Sequence, residues 1–479
     1  MHSNFLNFLM LKWQTKTMLG IPSAKCSPRF KTVVSAVVAV SVIASSVPAQ
    51  AQGLPLIRDS EIEAVLSDYA RPLFKVAGLG SNRIQMRIVN ENSFNAFVVD
   101  GRSVFVNTGT LMQSDTPNQV IGVIAHETGH ITGGHMAALR SRIAKDQTRA
   151  LLMQILGIGL MVAGGVGGGK ELGGAGQGVM MGGGEMIQRG LLAERRQQES
   201  AADQAGLKLL EGTRQSGRGM LETFERFAQQ EYISDSQQDA FVRSHPVATD
   251  RLARLRKLVE GSAFYNTRDE PALQLRHDLM RAKLSGYLER PSTIDSRYPV
   301  SNTTLPARYA RALSKFFKGG EGALQAALAD MDGLIRDQPT NPWFHEVKGD
   351  ILARAGRKAE AVGPLRQALK LAGESMLIRV QLADCLMASG DPTSTNEAVE
   401  LLRKSLIDDR NSRAFRLLAT AYYKQGKGPE ADAAQAQAEF EEGNLKQAQI
   451  FAKRAQTRLL QGSPEWIKTD DIINYKPQT

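Results

Sequence analysis

The run Ile124-Ala125-His126-Glu127-Thr128-Gly129-His130 constrains the fold of this chain more than any other stretch. On a helix, residues four apart share a face, so His126 and His130 aim their imidazoles at one point while Glu127 is held beside it. The sequence has seven histidines in 479 residues, too few for such a spacing to be routine. The preceding residues, Asn118 to Ala125, are apolar enough for a core helix. A fold that serves this motif buries one helix and brings further donors up to it.

Tetrahedral zinc with one position left for water needs a third protein ligand. In the spacing HExxHxxGxxH, Gly133 falls on the glycine, but the third histidine falls on Met136 and His135 comes one residue early. His135 therefore reads as a continuing helix or cap residue. Glu199 is the better candidate. The stretch from Arg195 to Gly206 is rich in Ala, Glu and Gln at helical spacing, which puts Glu199 and Asp203 one turn apart on one face. The glutamate can bind a metal while the aspartate accepts the distal N–H of a ligating histidine. Downstream, Ser244-His245-Pro246 precedes an amphipathic helix carrying Arg251, which alone reads as a turn before a helix-starting proline.

HExxH, then ExxxD, then His-Pro with an arginine five residues later resembles the HtpX-like and CAAX prenyl-peptidase gluzincin family. Asn95 to Gly109 is similar to that family's strand pair before the active helix, with the glycine-rich turn reduced to Val99-Asp100-Gly101. The resemblance spans residues 55 to 260. It implies His126, His130 and Glu199 as ligands of one Zn2+, Glu127 as general base, and His245 and Arg251 near the catalytic centre. His245 either stabilises the oxyanion or fills the open coordination site as a further ligand, and the sequence leaves both roles open.

Residues 1–51 read as a cleaved signal peptide: Lys12, Lys16, Lys25, Arg29 and Lys31 without an acid, an apolar stretch from Val33 to Val47, then Ala49-Gln50-Ala51. This marks the mature protein as exported. The net charge of +10 falls to +5 without that segment, so the basic composition implies no nucleic-acid partner. Cys26 leaves with the signal and Cys385 remains alone, so no intramolecular disulfide is expected. Half of the 28 residues from Gly157 to Gly184 are glycine and most others are apolar. Residues 150–184 therefore read as a mobile apolar loop or loose helical hairpin over the cleft, with peripheral contact to a membrane surface or an unfolded client.

Beyond about residue 270, repeats replace chemistry. Gly356 and Gly390 lie 34 apart and Gly390 and Gly426 lie 36 apart, each closing an apolar helix that a second helix follows. Units of this period resemble tetratricopeptide repeats, which stack into a groove that binds peptides or partner proteins. The expected fold is α+β: a mainly helical zincin-like metallopeptidase domain (52–270) with a small edge sheet, a linker (271–305), an all-α tetratricopeptide-repeat solenoid (306–462) and a tail (463–479). A peptidase joined to such repeats resembles periplasmic proteases of Gram-negative bacteria. That implies misfolded or stalled outer-membrane proteins as clients and the barrel-assembly machinery as a partner. The alternative is a chaperone-like scaffold whose zinc site is latent or structural.

Overall fold

The computed structural model describes residues 54–477, apart from 81–83, 100, 149–169, 229, 231–237, 247, 321 and 374. The expected signal peptide and the start of the glycine-rich stretch lie outside the described residues.

Four short strands form one sheet in the order β1-β2-β4-β3: β1 (Leu56–Ile57), β2 (Gln85–Val89), β3 (Ala96–Val98) and β4 (Ser103–Asn107). β2 runs parallel to β4, and β3 runs antiparallel to β4 with Ala96 opposite Val106, which leaves β3 on an edge. The Asn107 N–H donates to Asn95 O at 2.9 Å. Directions alternate along a strand, so the N–H and C=O of Ala96 face away from β4, toward the free edge. Between β1 and β2 lies helix α1 (Ser60–Val76), capped by the Asp59 side chain on Ile62 N. After β4 come α2 (Thr108–Gln113) and α3 (Pro117–Thr132), whose start is set by Thr116 accepting from Gln119 N and by Pro117 in the first turn.

Helix α3 carries the HExxH run and is buried on every side through most of its length. Val120, Ile121, Val123, Ile124 and Ala125 join the core that α1 and the sheet begin. Two glycines let neighbours come this close. A Cβ on Gly122 would stand 2.7 Å from Met220 N, and one on Gly129 would stand 2.6 Å from Ala202 O. The helices that supply those neighbours are α5 (Lys170–Gly212) and α6 (Arg218–Ala228), and α4 spans 135–148 between α3 and α5. The glycine-rich residues 170–184 thus lie in a helix, the helical of the two expected alternatives rather than a loop, as the amino-terminal extension of the helix that carries Glu199. Then come α7 (Ala240–Ser244) and α8 (Thr249–Glu260), where Arg251 sits.

The segment expected as a linker is instead structured. Helix α9 (Pro271–Leu288) buries Met280 and Leu284 in the peptidase core and Leu279 and Ala282 in the core of the repeats, so one helix is shared by both. Its Lys283, 1% exposed, lies 2.9 Å from Asp59, 3.4 Å from Glu61 and 2.9 Å from Glu346. A buried charge persists only where it is paired, and this lysine ties α1, α9 and the first repeats together. Helix α10 (Pro291–Arg297) leads into the antiparallel pairs that follow. These are α11 (Leu305–Lys318) with α12 (Ala323–Asp337), α13 (Pro342–Arg354) with α14 (Lys358–Ala372), α15 (Met376–Leu386) with α16 (Pro392–Asp408), and α17 (Ser412–Lys424) with α18 (Gly428–Glu441). Gly356, Gly390 and Gly426 sit at φ 80, 74 and 74, the left-handed turn that lets each first helix stop and its partner return. Helix α19 (Leu445–Gln456) packs on α20 (Pro464–Asn474), so the expected tail is a helix that buries Ile472. No helix among the described residues is long and apolar enough to cross a membrane.

Candidate metal centre

Helices α3 and α5 meet where Gly129 abuts Ala202, and that contact places Glu199 across from the two histidines of α3. His126 Nε2 lies 3.1 Å from His130 Nε2 and 3.3 Å from Glu199 Oε2, and His130 Nε2 lies 3.5 Å from Glu199 Oε1. His245, at the end of α7, enters from the side, its Nδ1 3.2 Å from His126 Nε2 and 3.1 Å from Glu199 Oε2. One donor atom from each of His126, His130, Glu199 and His245 falls within 4.8 Å of the others, and all four side chains are buried. The other nitrogen of His245 lies 3.2 Å from Ala96 O, the outward carbonyl of edge strand β3. An N–H there donates to the carbonyl and leaves the Nδ1 lone pair for the cluster.

Around these donors a second set of charges is arranged. Asp203, one turn beyond Glu199, brings Oδ1 to 3.0 Å from His126 Nδ1, a close but bent approach without hydrogen-bond geometry. Arg251 holds Asp203 through Nε at 2.5 Å and Nη2 at 2.7 Å, and its Nη1 lies 3.1 Å from Glu199 and donates to Pro246 O at 2.8 Å. Its guanidinium also lies 4.9 Å from the centre of the Phe224 ring, which meets His126 edge-on at 5.4 Å. Arg251 reaches the centre through these carboxylates.

The donor set fits a divalent cation. Three buried carboxylates, Glu127, Glu199 and Asp203, face one permanent cation, Arg251, so with neutral imidazoles the site carries a charge of −2. The same field acts on the titrating groups. Burial disfavours charge on His126, yet the close carboxylates of Asp203 and Glu199 raise it to about 9. Burial and the neighbouring His126 push His130 down to about 2, the neutral form a ligand needs. Despite burial, His245, His126 and Arg251 hold Glu199 well below the usual carboxylate range, and Arg251 with His126 lowers Asp203. Burial raises Glu127, whose Oε1 is buried without a hydrogen-bond partner and lies 3.3 Å from His245 Nε2. A carboxylate with an orphaned oxygen and a raised pKa beside a cation site suits a base that works on water.

Every residue singled out on α3, α5, α7 and α8 is thus brought to one place. His135 is not among the converging donors: it follows the left-handed Gly134 (φ 62) and turns its Nδ1 to 2.9 Å from Nδ1 of His130, on the side away from the other donors. Sequence reasoning missed that contact and the role of Ala96 O. The paired Gly133-Gly134 before His135 was the available signal for the first.

Residues 56–259 match the model of peptidase family M48. The beta-barrel assembly-enhancing protease of Escherichia coli (strain K12) is 24% identical over 436 residues, covering 88% of this chain and 85% of that protein. Metalloprotease LoiP of the same organism is 28% identical over 195 residues, 40% of this chain and 70% of that protein. Among solved structures, MamA MSR-1 C2 matches at 18% identity with a TM-score of 0.28, covering 37% of this chain and 94% of that one.

Proposed function

This chain carries an M48-family metallopeptidase domain at residues 56–259, and we propose that it is a zinc endopeptidase of the periplasm that degrades misfolded or stalled outer-membrane proteins. The observation that supports it most is the convergence of His126, His130, Glu199 and His245 beside Glu127 in a buried pocket whose charge is −2 when the imidazoles are neutral. Likeness to the beta-barrel assembly-enhancing proteases along 88% of the chain supports the client class and the export. The barrel-assembly machinery is the partner this reading gives to the repeats.

His126, His130 and Glu199 would hold the zinc, with Asp203 backing His126 and Arg251 keeping both carboxylates ionised and in place. Bound there, zinc supplies Lewis acidity that polarises a peptide carbonyl and acidifies water. The Glu127 carboxylate takes the proton of the attacking water and returns it to the leaving amine as the C–N bond breaks. Substrate backbone adds beside β3, whose Ala96 N–H and C=O face the open edge. His245 engages both needs of that substrate at once, with Nδ1 on the metal cluster and Nε2 on Ala96 O. It would thus serve as a fourth protein donor to the metal and would have to swing aside for a peptide to enter, which would release the edge carbonyl as well.

The repeats would present clients from outside the active cleft. A cavity of about 650 Å3 lies between α1, β2 and the repeat helices, bordered by Arg71, Met86, Trp343, Leu377 and Ile407. Ile407 is 84% exposed and also borders a second cavity of about 430 Å3 floored by Leu406, Leu418 and Tyr422. An apolar side chain so exposed between two cavities is suited to an unfolded segment. The test of the client class is cleavage by the purified, zinc-loaded chain of an unfolded outer-membrane barrel against casein at equal concentration. Faster cleavage of the barrel, reduced by Ile407→Asp, supports the reading, and equal rates with no effect of Ile407→Asp overturn it.

A further inference from the structure

We infer that His135 is a positioning residue for the metal centre: it accepts the Nδ1 proton of His130 and so fixes the ring plane and tautomer that point Nε2 of His130 at the metal. The inference rests on the metal-binding reading of His130.

Valence decides the direction of this bond. Nε2 of His130 is the nitrogen on the cluster side, 3.1 Å from His126 Nε2 and 3.5 Å from Glu199 Oε1. A histidine that offers the Nε2 lone pair to a metal carries its proton on Nδ1. That nitrogen lies 2.9 Å from Nδ1 of His135, which must then be the acceptor and keep its own proton on Nε2. Metal-ligating histidines ordinarily donate this proton to a carboxylate, a backbone carbonyl or water. His126 has Asp203 in that place, whereas His130 has a second imidazole.

The local chain is built for this contact. Helix α3 ends at Thr132, Gly134 turns the chain through the left-handed region at φ 62, and His135 begins the next helix with its ring folded back over the end of the first. Gly133 has an ordinary φ of −76, so its backbone does not demand glycine. Its need is space: a Cβ there would stand 2.3 Å from Nε2 of His135 and 2.8 Å from its Cδ2 and Cε1. The two ring planes meet nearly at right angles, 81° with centroids 5.0 Å apart. A ring merely filling space would not require an adjacent glycine and nitrogen-to-nitrogen contact with a ligand.

The experiment compares zinc affinity, read by competition with a chromophoric chelator, in the full mature chain carrying Glu127→Gln to prevent self-cleavage. His135→Phe keeps the ring but has no acceptor, and should weaken zinc binding about 10–100-fold. His135→Asn retains an oxygen near the position of Nδ1 and should stay within about threefold of the parent. Gly133→Ala pushes the ring away without touching either histidine, and should resemble His135→Phe. Melting of the chelator-treated proteins identifies any variant that weakens binding by failing to fold. Parental affinity in His135→Phe overturns the inference, as does a loss in His135→Asn as large as in His135→Phe. A parent that binds no zinc overturns the metal reading itself and the inference with it.

Discussion

Replacing Arg251 by methionine probes how the buried charges at the site are held. The guanidinium is 4% exposed and bonds both Asp203 oxygens while lying 3.1 Å from Glu199. Methionine retains the apolar stem against Phe224 but leaves two buried carboxylates without their cation. Breaking a buried pair from one side costs about 3–5 kcal/mol, because the remaining charge is neither hydrated nor neutralised. Loss of the positive charge over the Phe224 ring adds about 1 kcal/mol. In a domain of about 200 residues each kcal/mol moves the melting temperature by about 2–4 °C, so a drop of about 10 °C or more is expected. Lysine keeps the charge but lacks the planar fork, and its ammonium serves one carboxylate at a time, so Arg251→Lys should lose roughly half as much. The assay is thermal melting at neutral pH of chelator-treated protein in a Glu127→Gln background, which separates folding from stabilisation by bound metal. A methionine variant that melts within about 2 °C of its parent would refute this view of Arg251.

Three further outcomes follow from the packing. Gly129→Ala places a Cβ 2.6 Å from Ala202 O, between two backbones that cannot yield. It should cost about 1–3 kcal/mol and, by moving Glu199 off His126 and His130, weaken zinc binding on the order of tenfold, measured by melting and chelator competition. Lys283→Met leaves Asp59, Glu61 and Glu346 facing one another without a cation, and a loss of about 3–5 kcal/mol is expected in denaturant unfolding. Burial raises Glu346 from 4.5 to about 7 even beside Lys283, with Asp59 and Asp350 adding to the rise. Between those values the folded chain holds a proton that the unfolded chain has lost, so the stability Glu346 contributes is present below pH 4.5 and lost as pH rises through about 7. The melting temperature should therefore fall more steeply from pH 5 to 7.5 in the parent than in Glu346→Gln, and parallel slopes would contradict this.

The site was legible in the sequence to the extent that its chemistry is local. His126, Glu127 and His130 share a turn of one helix, Glu199 and Asp203 share a turn of another, and donor type with helical spacing was enough to nominate them. The bond of His245 to Ala96 O was not legible, because it joins a loop to the outward side of a strand 149 residues away. His135 escaped for a different reason. Its placement depends on a left-handed glycine and a close approach, so a pattern of histidine spacings measures it against the wrong geometry. In the fold, residues 170–184 show glycine losing to context: poor helix material by propensity, they extend the helix that carries Glu199. Helix α9 was hidden because opposite faces enter two cores, which erases the one-sided pattern that would announce a helix. The buried Lys283 has no signature in sequence at all, since its three acidic partners come from two distant segments.

The most direct test of a self-blocked zinc peptidase is casein cleavage by the purified mature chain, with zinc content measured on the same samples, as the parent, Glu127→Gln and His245→Ala. One zinc per chain in all three, slow cleavage by the parent, a loss of at least about a hundredfold in Glu127→Gln and a gain in His245→Ala are the expected results. Zinc bound without cleavage by any form, or cleavage that survives Glu127→Gln, would contradict the roles assigned to Glu127 and His245; the first of these would favour a scaffold built around a structural metal.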